Sequence, residues 1–296
     1  MRSTIKKSKP RIAFEIFNTV FFIGVIIVSV LTLWHVFCAS FSDASWVIAQ
    51  NGLIWHIHNF SLEGYKLVMQ YKDIWNGYIN TFLYVGGTTA IGMLVTVMMA
   101  YTVSRKDSIW GKVIMYLVSF TMLFNGGMIA SYIVTANVLH LYDTRWAVIL
   151  PVCLNAFYLI LIRTAIQSVP ESLIESAQLD GAGHMVILFR IVLPLIKATL
   201  ATVILYYIIM QWNSWFSASI YLRTRSKFPL QLILKEILVS NDTSAMSAKE
   251  SQGSVVLYKQ LLKYCTIIIS TGPILLVYPF VQRYFESGVM IGAVKG

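Results

Sequence analysis

Segment 175–194, ESAQLDGAGHMVILFRIVLP, combines carboxylates and two glycines with apolar residues, in a chain that is otherwise poor in charge. Just before it, Ser168 and Glu171 lie three residues apart. A hydroxyl and a carboxylate at this spacing can cap the free amide groups at the start of a helix. These residues predict a short capped helix that runs to about Leu179 and interrupts the apolar sequence.

Two glycines should end this helix. Gly181 and Gly183 follow Leu179, and glycine can take the left-handed backbone conformation that a helix C-terminus often requires. A second helix can then begin and continue into the apolar residues before Pro194. The segment therefore predicts a tight, polar helix-turn-helix.

The composition predicts an all-α integral membrane protein. Of the 296 residues, 57% are hydrophobic and 12% are charged, whereas soluble domains have about 25% charged residues. A helix needs about 20 apolar residues to cross a bilayer, and a charge at its centre costs about 3 kcal/mol on insertion scales. Stretches without Asp, Glu, Lys or Arg predict six transmembrane helices in a single domain of residues 1–296, at about 14–38, 76–104, 113–136, 146–163, 197–220 and 264–283. The fourth is the shortest, and we expect Arg145 and Arg163 to reach the membrane surface from its ends.

The basic residues predict the orientation in the membrane. Clusters precede the first span and separate the second from the third: Arg2, Lys6, Lys7, Lys9 and Arg11, then Arg105, Lys106 and Lys112. Because cytoplasmic loops are enriched in Lys and Arg, both clusters should face the cytoplasm. Six crossings then place loop 168–194 and both termini in the cytoplasm. The first apolar run is too long for the core of a signal peptide, so we expect it to be a retained span.

The polar segment also resembles a known motif. The matching positions are Glu175, Ala177, Asp180, Gly181 and Ala182, followed after Arg190 by Ile191, Leu193 and Pro194. Their spacing resembles the EAA loop of binding-protein-dependent ABC importer permeases. One departure is Ser176, where the family usually has an alanine. In that family the loop is a coupling helix that docks in a groove of a separate ATPase subunit.

The resemblance extends along most of the chain. Positions similar to the MalG-like subunits of carbohydrate importers are Phe124, Gly126, Gly127, Tyr132, Asp143, Thr144, Trp146, Ala147, Leu150, Pro151, Arg163 and Pro170. Positions similar to the branch that handles oligosaccharides or larger glycans are Trp212, Asn213, Trp215, Phe216, Pro229, Leu230 and Gln231. The ending Gly292–Gly296 matches a short tail that reaches the ATPase dimer interface in these relatives.

The resemblance implies a permease subunit in a bacterial cytoplasmic (inner) membrane. Its partners would be a second, homologous permease in a heterodimer, two ATPase subunits and an extracytoplasmic solute-binding protein. ATP and Mg²⁺ would be bound by the ATPase subunits, with no cofactor on this chain and no nucleic-acid partner. The implied ATPase-coupling residues are Glu171, Glu175, Ser176, Ala177, Asp180, Gly181, Ala182 and Gly183. Among them, Glu175 would orient the coupling helix, Gly181 would permit its turn, and the two alanines would keep the docking face close.

The residues disfavour two other classes of function. The chain has no G-x-x-x-x-G-K-[ST] phosphate-binding loop, so we do not expect it to bind ATP itself. We expect no buried Asp, Glu, Lys or Arg within the spans of the kind that ion-coupled secondary transporters use, because the charged residues lie at the span ends. A membrane enzyme would need a catalytic or metal cluster, and His56 and His58 have no further zinc ligands near them in sequence. We interpret Cys38, Cys153 and Cys265 as small hydrophobic residues without disulfides.

The solute is less well defined by the sequence. Trp212, Asn213, Trp215 and Phe216 could line a translocation path, because aromatic faces stack on pyranose rings and an amide satisfies sugar hydroxyls. Helix packing or a belt at the membrane interface is the alternative for these residues. The resemblance favours oligosaccharides or glycan fragments, and the alternative solutes are peptides, amino acids or anions.

A basic segment should lie outside the cell. Between Leu222 and Tyr264 there are seven basic residues and three acidic ones. A field of one sign raises encounter rates, so this segment could steer an acidic partner or an anionic solute. The alternative is a solvated face whose charge is incidental.

Overall fold

The computed structural model describes residues 8–50, 52–105, 107–239 and 261–276. The regular elements in these ranges are all helices, as the sequence predicts. They divide into two compact units, Met1–Tyr71 with Asn241–Thr271 and Lys72–Ser240 with Gly272–Gly296. The prediction of one permease domain over 1–296 stays a prediction.

The first unit contains one long apolar helix. Its helices are α1 (Lys9–Ser40), α2 (Ala44–Ala49), α3 (Glu63–Gln70) and the first residues of helix Leu261–Leu276. The side chains of α1 are exposed over most of its length, with Phe17 68% and Val28 67% exposed. The C-terminal end of α1 is fixed to α3, because the Tyr65 hydroxyl donates to Oγ of Ser40 at 2.8 Å. An apolar helix exposed in this way is suited to lipid rather than to water.

The second unit is built around α4. Its helices are α4 (Lys72–Ser104), α5 (Gly111–Leu123), α6 (Gly127–Tyr132), α7 (Trp146–Ile149), α8 (Ala156–Gln167), α9 (Glu171–Leu179), α10 (His184–Ile187), α11 (Leu193–Leu195), α12 (Lys197–Trp212), α13 (Phe216–Tyr221) and α14 (Leu230–Val239). A turn of π-helix joins α10 to α11 over Leu188–Val192. Helix α4 packs against α8, α12 and α14.

The middle of α4 is closely packed. A Cβ on Gly92 would lie 2.8 Å from the ring of Tyr207, so glycine allows α12 to approach α4. The Tyr207 hydroxyl donates to the carbonyl of Cys153 at 2.7 Å and is 2.9 Å from the Thr96 hydroxyl, which then donates to it. These contacts hold α4, α12 and the residues before α8 together in the core of the unit.

Two predicted spans are single helices. Span 14–38 lies within α1 and span 76–104 within α4, and these are the two described helices that are long and apolar enough to cross a bilayer alone. The predicted sixth span lies in helix Leu261–Leu276 as far as residue 276. Its remainder, the tail Gly292–Gly296 and the predicted basic residues Arg2, Lys6, Lys7 and Lys106 lie outside the described residues.

The other three predicted spans are not continuous helices. Span 113–136 is interrupted at residues 124–126, and span 197–220 at residues 213–215. Span 146–163 is bent by 47° between Trp146–Val152 and Ala156–Gln167. An asparagine lies at each interruption: Asn125 accepts from the amide of Gly127, Asn155 caps α8, and Asn213 donates to the carbonyl of Ile209. Because asparagine carries no charge, stretches defined by the absence of charge conceal these breaks.

Candidate functional site

The predicted short helix of the polar loop is α9, and it ends at Leu179 as expected. It is not capped by Ser168, so the prediction of a capping box was wrong. Ser168 belongs to the end of α8, where its hydroxyl donates to the carbonyl of Ala165 at 2.7 Å. Pro170 then separates the two helices, because a proline disfavours helical backbone in the residue before it. The carboxylate of Glu171 still lies in the first turn of α9, where the helix dipole favours negative charge.

The turn after α9 depends on one of the two glycines. Gly181 has φ 79°, in the left-handed region. The amide of Gly181 donates to the carbonyl of Gln178 at 3.0 Å, and the amide of Ala182 donates to the carbonyl of Ala177 at 2.9 Å. This pair of bonds is the Schellman pattern that ends many helices. Gly183 has φ −72° and is the N-cap of α10, so the prediction that it also takes a left-handed conformation was wrong.

One side of the loop packs inward. Ala177 and Ala182 are half-buried and contact the core cluster that includes Ile187 and Leu188. Their small side chains let α9 lie close to the core. The structure thus places both alanines against the core of the second unit and not on the exposed side of the loop.

The other side of the loop is exposed. It carries the predicted residues Glu175, Ser176 and Asp180. Leu179, at the tip, is 90% exposed. Sequence reasoning missed Leu179 as a candidate contact; the available signal was an apolar residue directly before the Asp180 turn. An apolar tip bordered by carboxylates is suited to docking in a groove of another protein.

A cavity of 510 Å³ separates α9 from the link between α4 and α5. Glu171, Glu175 and Gln178 line it from α9, and Arg105 and Asp107 line it from the link. Arg105 donates two hydrogen bonds to Asp107, from Nε at 3.0 Å and from Nη2 at 2.9 Å. These bonds lower the pKa of Asp107 to about 2. The link thus presents a fixed ion pair to the carboxylates of α9.

The four predicted path residues lie at the break between α12 and α13, and they do not share one environment. Trp212 is 5% exposed, and its ring lies 5.7 Å from that of Phe82 on α4. Its indole Nε1 is buried and has no hydrogen-bond partner among the described residues. The side chain of Asn213 is tied to its own helix at Ile209. Trp212 and Asn213 therefore fit the packing alternative as well as a path.

Trp215 and Phe216 form the exposed part of this break. Their rings meet edge to face with centroids 5.5 Å apart, and Phe216 is 52% exposed. The ammonium of Lys235 lies 4.1 Å from the centre of the Trp215 ring. A cation over one face of an indole is a favourable contact. Trp215 and Phe216 are thus the exposed members of the predicted set.

Two basic residues in the described part of the basic segment, Arg225 and Lys227, are paired with carboxylates. Arg225 forms ion pairs with Asp73 at 2.6 Å and with Glu236 at 3.2 Å. Lys227 pairs with Asp143 at 3.1 Å. Hydrogen bonds from Thr224 hold the pKa of Asp143 well below its usual range. These pairs weaken the steering hypothesis for Arg225 and Lys227, whereas Arg223 donates to the Tyr142 hydroxyl and keeps its charge. Lys249 and Lys259 lie outside the described residues.

His58 and the three cysteines have ordinary packing environments. The rings of Trp46 and His58 are stacked with centroids 4.8 Å apart. Cys38, Cys153 and Cys265 are buried free thiols, as expected for small hydrophobic residues. Within the described ranges, no three His, Cys, Asp or Glu side chains are grouped to hold a metal ion.

Helices that are long and apolar enough to cross a bilayer, and an exposed polar helix-turn-helix, are features expected of a membrane permease. The chain belongs to the family of binding-protein-dependent transport system inner membrane components, whose family model matches residues 90–291. Members of this family are membrane subunits of ABC importers and carry no ATPase site of their own.

Comparison with known proteins gives relatives over nearly the full length. The polygalacturonan/rhamnogalacturonan transport system permease protein YtcP of Bacillus subtilis (strain 168) is 37% identical, over 91% of this chain and 94% of that protein. Protein LplC of the same organism is 35% identical, over 99% and 98% of the two chains. A solved bacterial ABC transporter involved in the import of the acidic polysaccharide alginate contains a chain with a TM-score of 0.85 and 29% identity, covering 95% of this chain and 100% of that one.

Proposed function

We propose that this chain is the permease subunit through which an ATP-driven importer moves oligosaccharides or glycan fragments into the cell. The observation that carries the proposal is the full-length similarity to permeases named for glycan transport. Import of peptides, amino acids or anions is the alternative, because a fold does not fix its cargo. The test compares uptake of labelled oligogalacturonides and of labelled maltodextrins in cells with and without the gene. If deletion of the gene reduces the uptake of neither glycan, the result contradicts a glycan importer.

The architecture we propose is a single permease domain with six spans and both termini in the cytoplasm of a bacterium. Helices α1 and α4 supply two spans, and the bent pair Trp146–Val152 with Ala156–Gln167 supplies another. The shorter apolar helices Gly111–Leu123, Gly127–Val138 and Leu261–Leu276 supply parts of the third and sixth spans, and Lys197–Trp212 supplies the fifth. A second, homologous permease completes a heterodimer, and an extracytoplasmic solute-binding protein delivers the solute.

Loop 168–194 is the proposed contact with the ATPase, which binds ATP and Mg²⁺. The exposed Leu179 enters the groove of the ATPase, and Glu175 and Asp180 border it. Gly181 holds the turn that presents this tip. The inward packing of Ala177 and Ala182 passes movement of α9 to the permease core.

The two glycines of the loop provide a matched test of this coupling. A Cβ at Gly181 or at Gly183 has no neighbour within 4 Å, and only Gly181 has a positive φ, of 79°. A β-branched residue at positive φ is a strong outlier. Gly181→Val should therefore distort the turn, whereas Gly183→Val should be accommodated.

The measurement uses the assembled importer in proteoliposomes, with ATP hydrolysis and solute uptake recorded together. We expect Gly181→Val to lose the co-purified ATPase, or to hydrolyse ATP with several-fold less uptake, and Gly183→Val to resemble the wild type. Equal coupling in both variants would contradict the assignment of this turn.

A further inference from the structure

A second cavity, of 420 Å³, lies where the end of α4 and the start of α5 meet α8. Most of its lining residues do not line the cavity next to α9. Its cationic lining residues are Arg105, Lys112 and Arg163, and its uncharged polar ones are Ser104, Ser108, Tyr116, Ser119 and Gln167. No carboxylate is among the described residues that line it. Arginine, lysine and hydroxyl groups are the side-chain groups that proteins use to bind phosphate.

The positive charge of this cavity is only partly neutralised. Arg105 is paired with Asp107, so its charge is largely compensated. Arg163 is half-buried and uses Nε to donate to the carbonyl of Val103 at 3.2 Å. No described carboxylate forms an ion pair with Lys112 or Arg163. Two uncompensated cations therefore face the same space.

The start of α5 adds to this positive field. Lys112 lies in the first turn of the helix, which contains no acidic residue and has no side-chain cap. The free amides of a helix N-terminus carry a partial positive charge and favour an anion. Helix α5 has 13 residues, so its N-terminus adds a partial positive charge to the full charges of the cations.

An apolar surface adjoins the cavity along α5. Tyr116 lines the cavity and is 77% exposed. Leu117 and Phe120, farther along the same helix, are 62% and 55% exposed. In membrane proteins tyrosine rings are enriched at headgroup level, and apolar side chains farther along such a helix face acyl chains. A phospholipid whose phosphate group enters this cavity from the bilayer would keep its acyl chains on this surface.

We propose that this cavity binds the phosphate group of a lipid, as the headgroup of an anionic phospholipid. Basic pockets between membrane helices are suited to such headgroups. The proposal rests on the cavity and on membership of a membrane family, and it is independent of the coupling role of α9.

The test places the complete importer in nanodiscs of equal parts phosphatidylglycerol and phosphatidylcholine. The importer is then transferred to detergent, and the lipids that remain bound are counted by native mass spectrometry. We expect preferential retention of phosphatidylglycerol. Lys112→Gln should reduce that retention about fivefold, since one surface cation contributes roughly 1 kcal/mol to anionic lipid binding. Lys197→Gln is the matched control, because Lys197 is also exposed but does not line the cavity.

Equal loss of phosphatidylglycerol in the two variants, or no preference over phosphatidylcholine in the wild type, would overturn the proposal. A further arm adds inorganic phosphate to the detergent-solubilised importer. Displacement of the bound lipid at millimolar phosphate would show that free phosphate occupies the cavity and would overturn the lipid assignment. Retention of the lipid in that arm supports it. Assembly with the ATPase is measured in each sample, so that loss of coupling is not mistaken for loss of the lipid.

Discussion

Substitution Gly92→Ala tests how closely α4 and α12 approach each other. The new Cβ would lie 2.8 Å from Cε1 and Cζ of Tyr207 and 2.9 Å from the carbonyl oxygen of Cys153. Neither neighbour withdraws easily. The ring of Tyr207 is held through its hydroxyl by Cys153 and Thr96, and the carbonyl is part of the backbone. We therefore expect α12, or the residues before α8, to shift away from α4.

Gly86, on the same helix, is the matched control. A Cβ at Gly86 has no neighbour within 4 Å. At both positions alanine gains about 1 kcal/mol of helix propensity over glycine. Overpacking of a core costs about 1–3 kcal/mol. Because the propensity gain is common to both variants, Gly92→Ala should be less stable than Gly86→Ala by about 1–3 kcal/mol.

The assay is thermal unfolding of the detergent-solubilised chain, followed by the fraction that stays monodisperse on size exclusion. A difference of this size corresponds to an apparent melting temperature roughly 2–12 °C lower for Gly92→Ala than for Gly86→Ala. Equal melting temperatures of the two variants would refute the close approach of the α12 ring to α4.

Two further predictions concern the ion pair of Asp143 with Lys227 and the proposed path. Asp143→Asn keeps a residue that tolerates the φ of 53° but removes the charge that faces Lys227. Hydrogen bonds from Thr224 lower the pKa of Asp143. The stability that its carboxylate adds to the folded chain is therefore present above the unfolded-state pKa of about 3.9, and it is lost as pH falls through the lower folded-state pKa. Below about pH 4 the melting temperature of the wild type should fall more steeply than that of the variant, and parallel pH profiles would argue against this role. Trp215→Ala should reduce glycan uptake several-fold without loss of assembly, whereas Trp55→Ala, at another exposed indole, should not; equal uptake by both variants would remove Trp215 from the path.

The sequence predicts features of the loop that depend on local backbone chemistry. Gly181 was identifiable because a helix end at positive φ favours glycine over other residues. Ser168 was misassigned because the helix before it and the helix after it both offer a place for its hydroxyl, and the sequence does not show which forms. The exposure of Leu179 was not predictable, since it depends on which side of α9 packs on the core.

Charge counting also has a physical limit in the basic segment between Leu222 and Tyr264. One partner of Arg225 is Asp73, which is 152 residues away in the chain. Ion pairs of this kind form only when α4 and the residues before α14 are brought together. A net basic composition therefore says little about the field that a partner or solute meets, because pairing within the fold screens it.

The buried cluster of the second unit shows how movement of α9 can reach the membrane core. The cluster extends from Ile187 and Leu188 on the α10 side to Ile162 on α8 and Tyr207 on α12. Close-packed cores transmit displacement because they have few alternative arrangements. The pair His184–Leu195 and Lys197–Trp212 is bent by 86°, and we expect a push on the loop to turn one helix against the other at this bend. Tyr207 belongs to the same cluster and Gly92 lies against its ring, so we expect overpacking there to stiffen α12 and slow transport even in variants that still assemble with the ATPase.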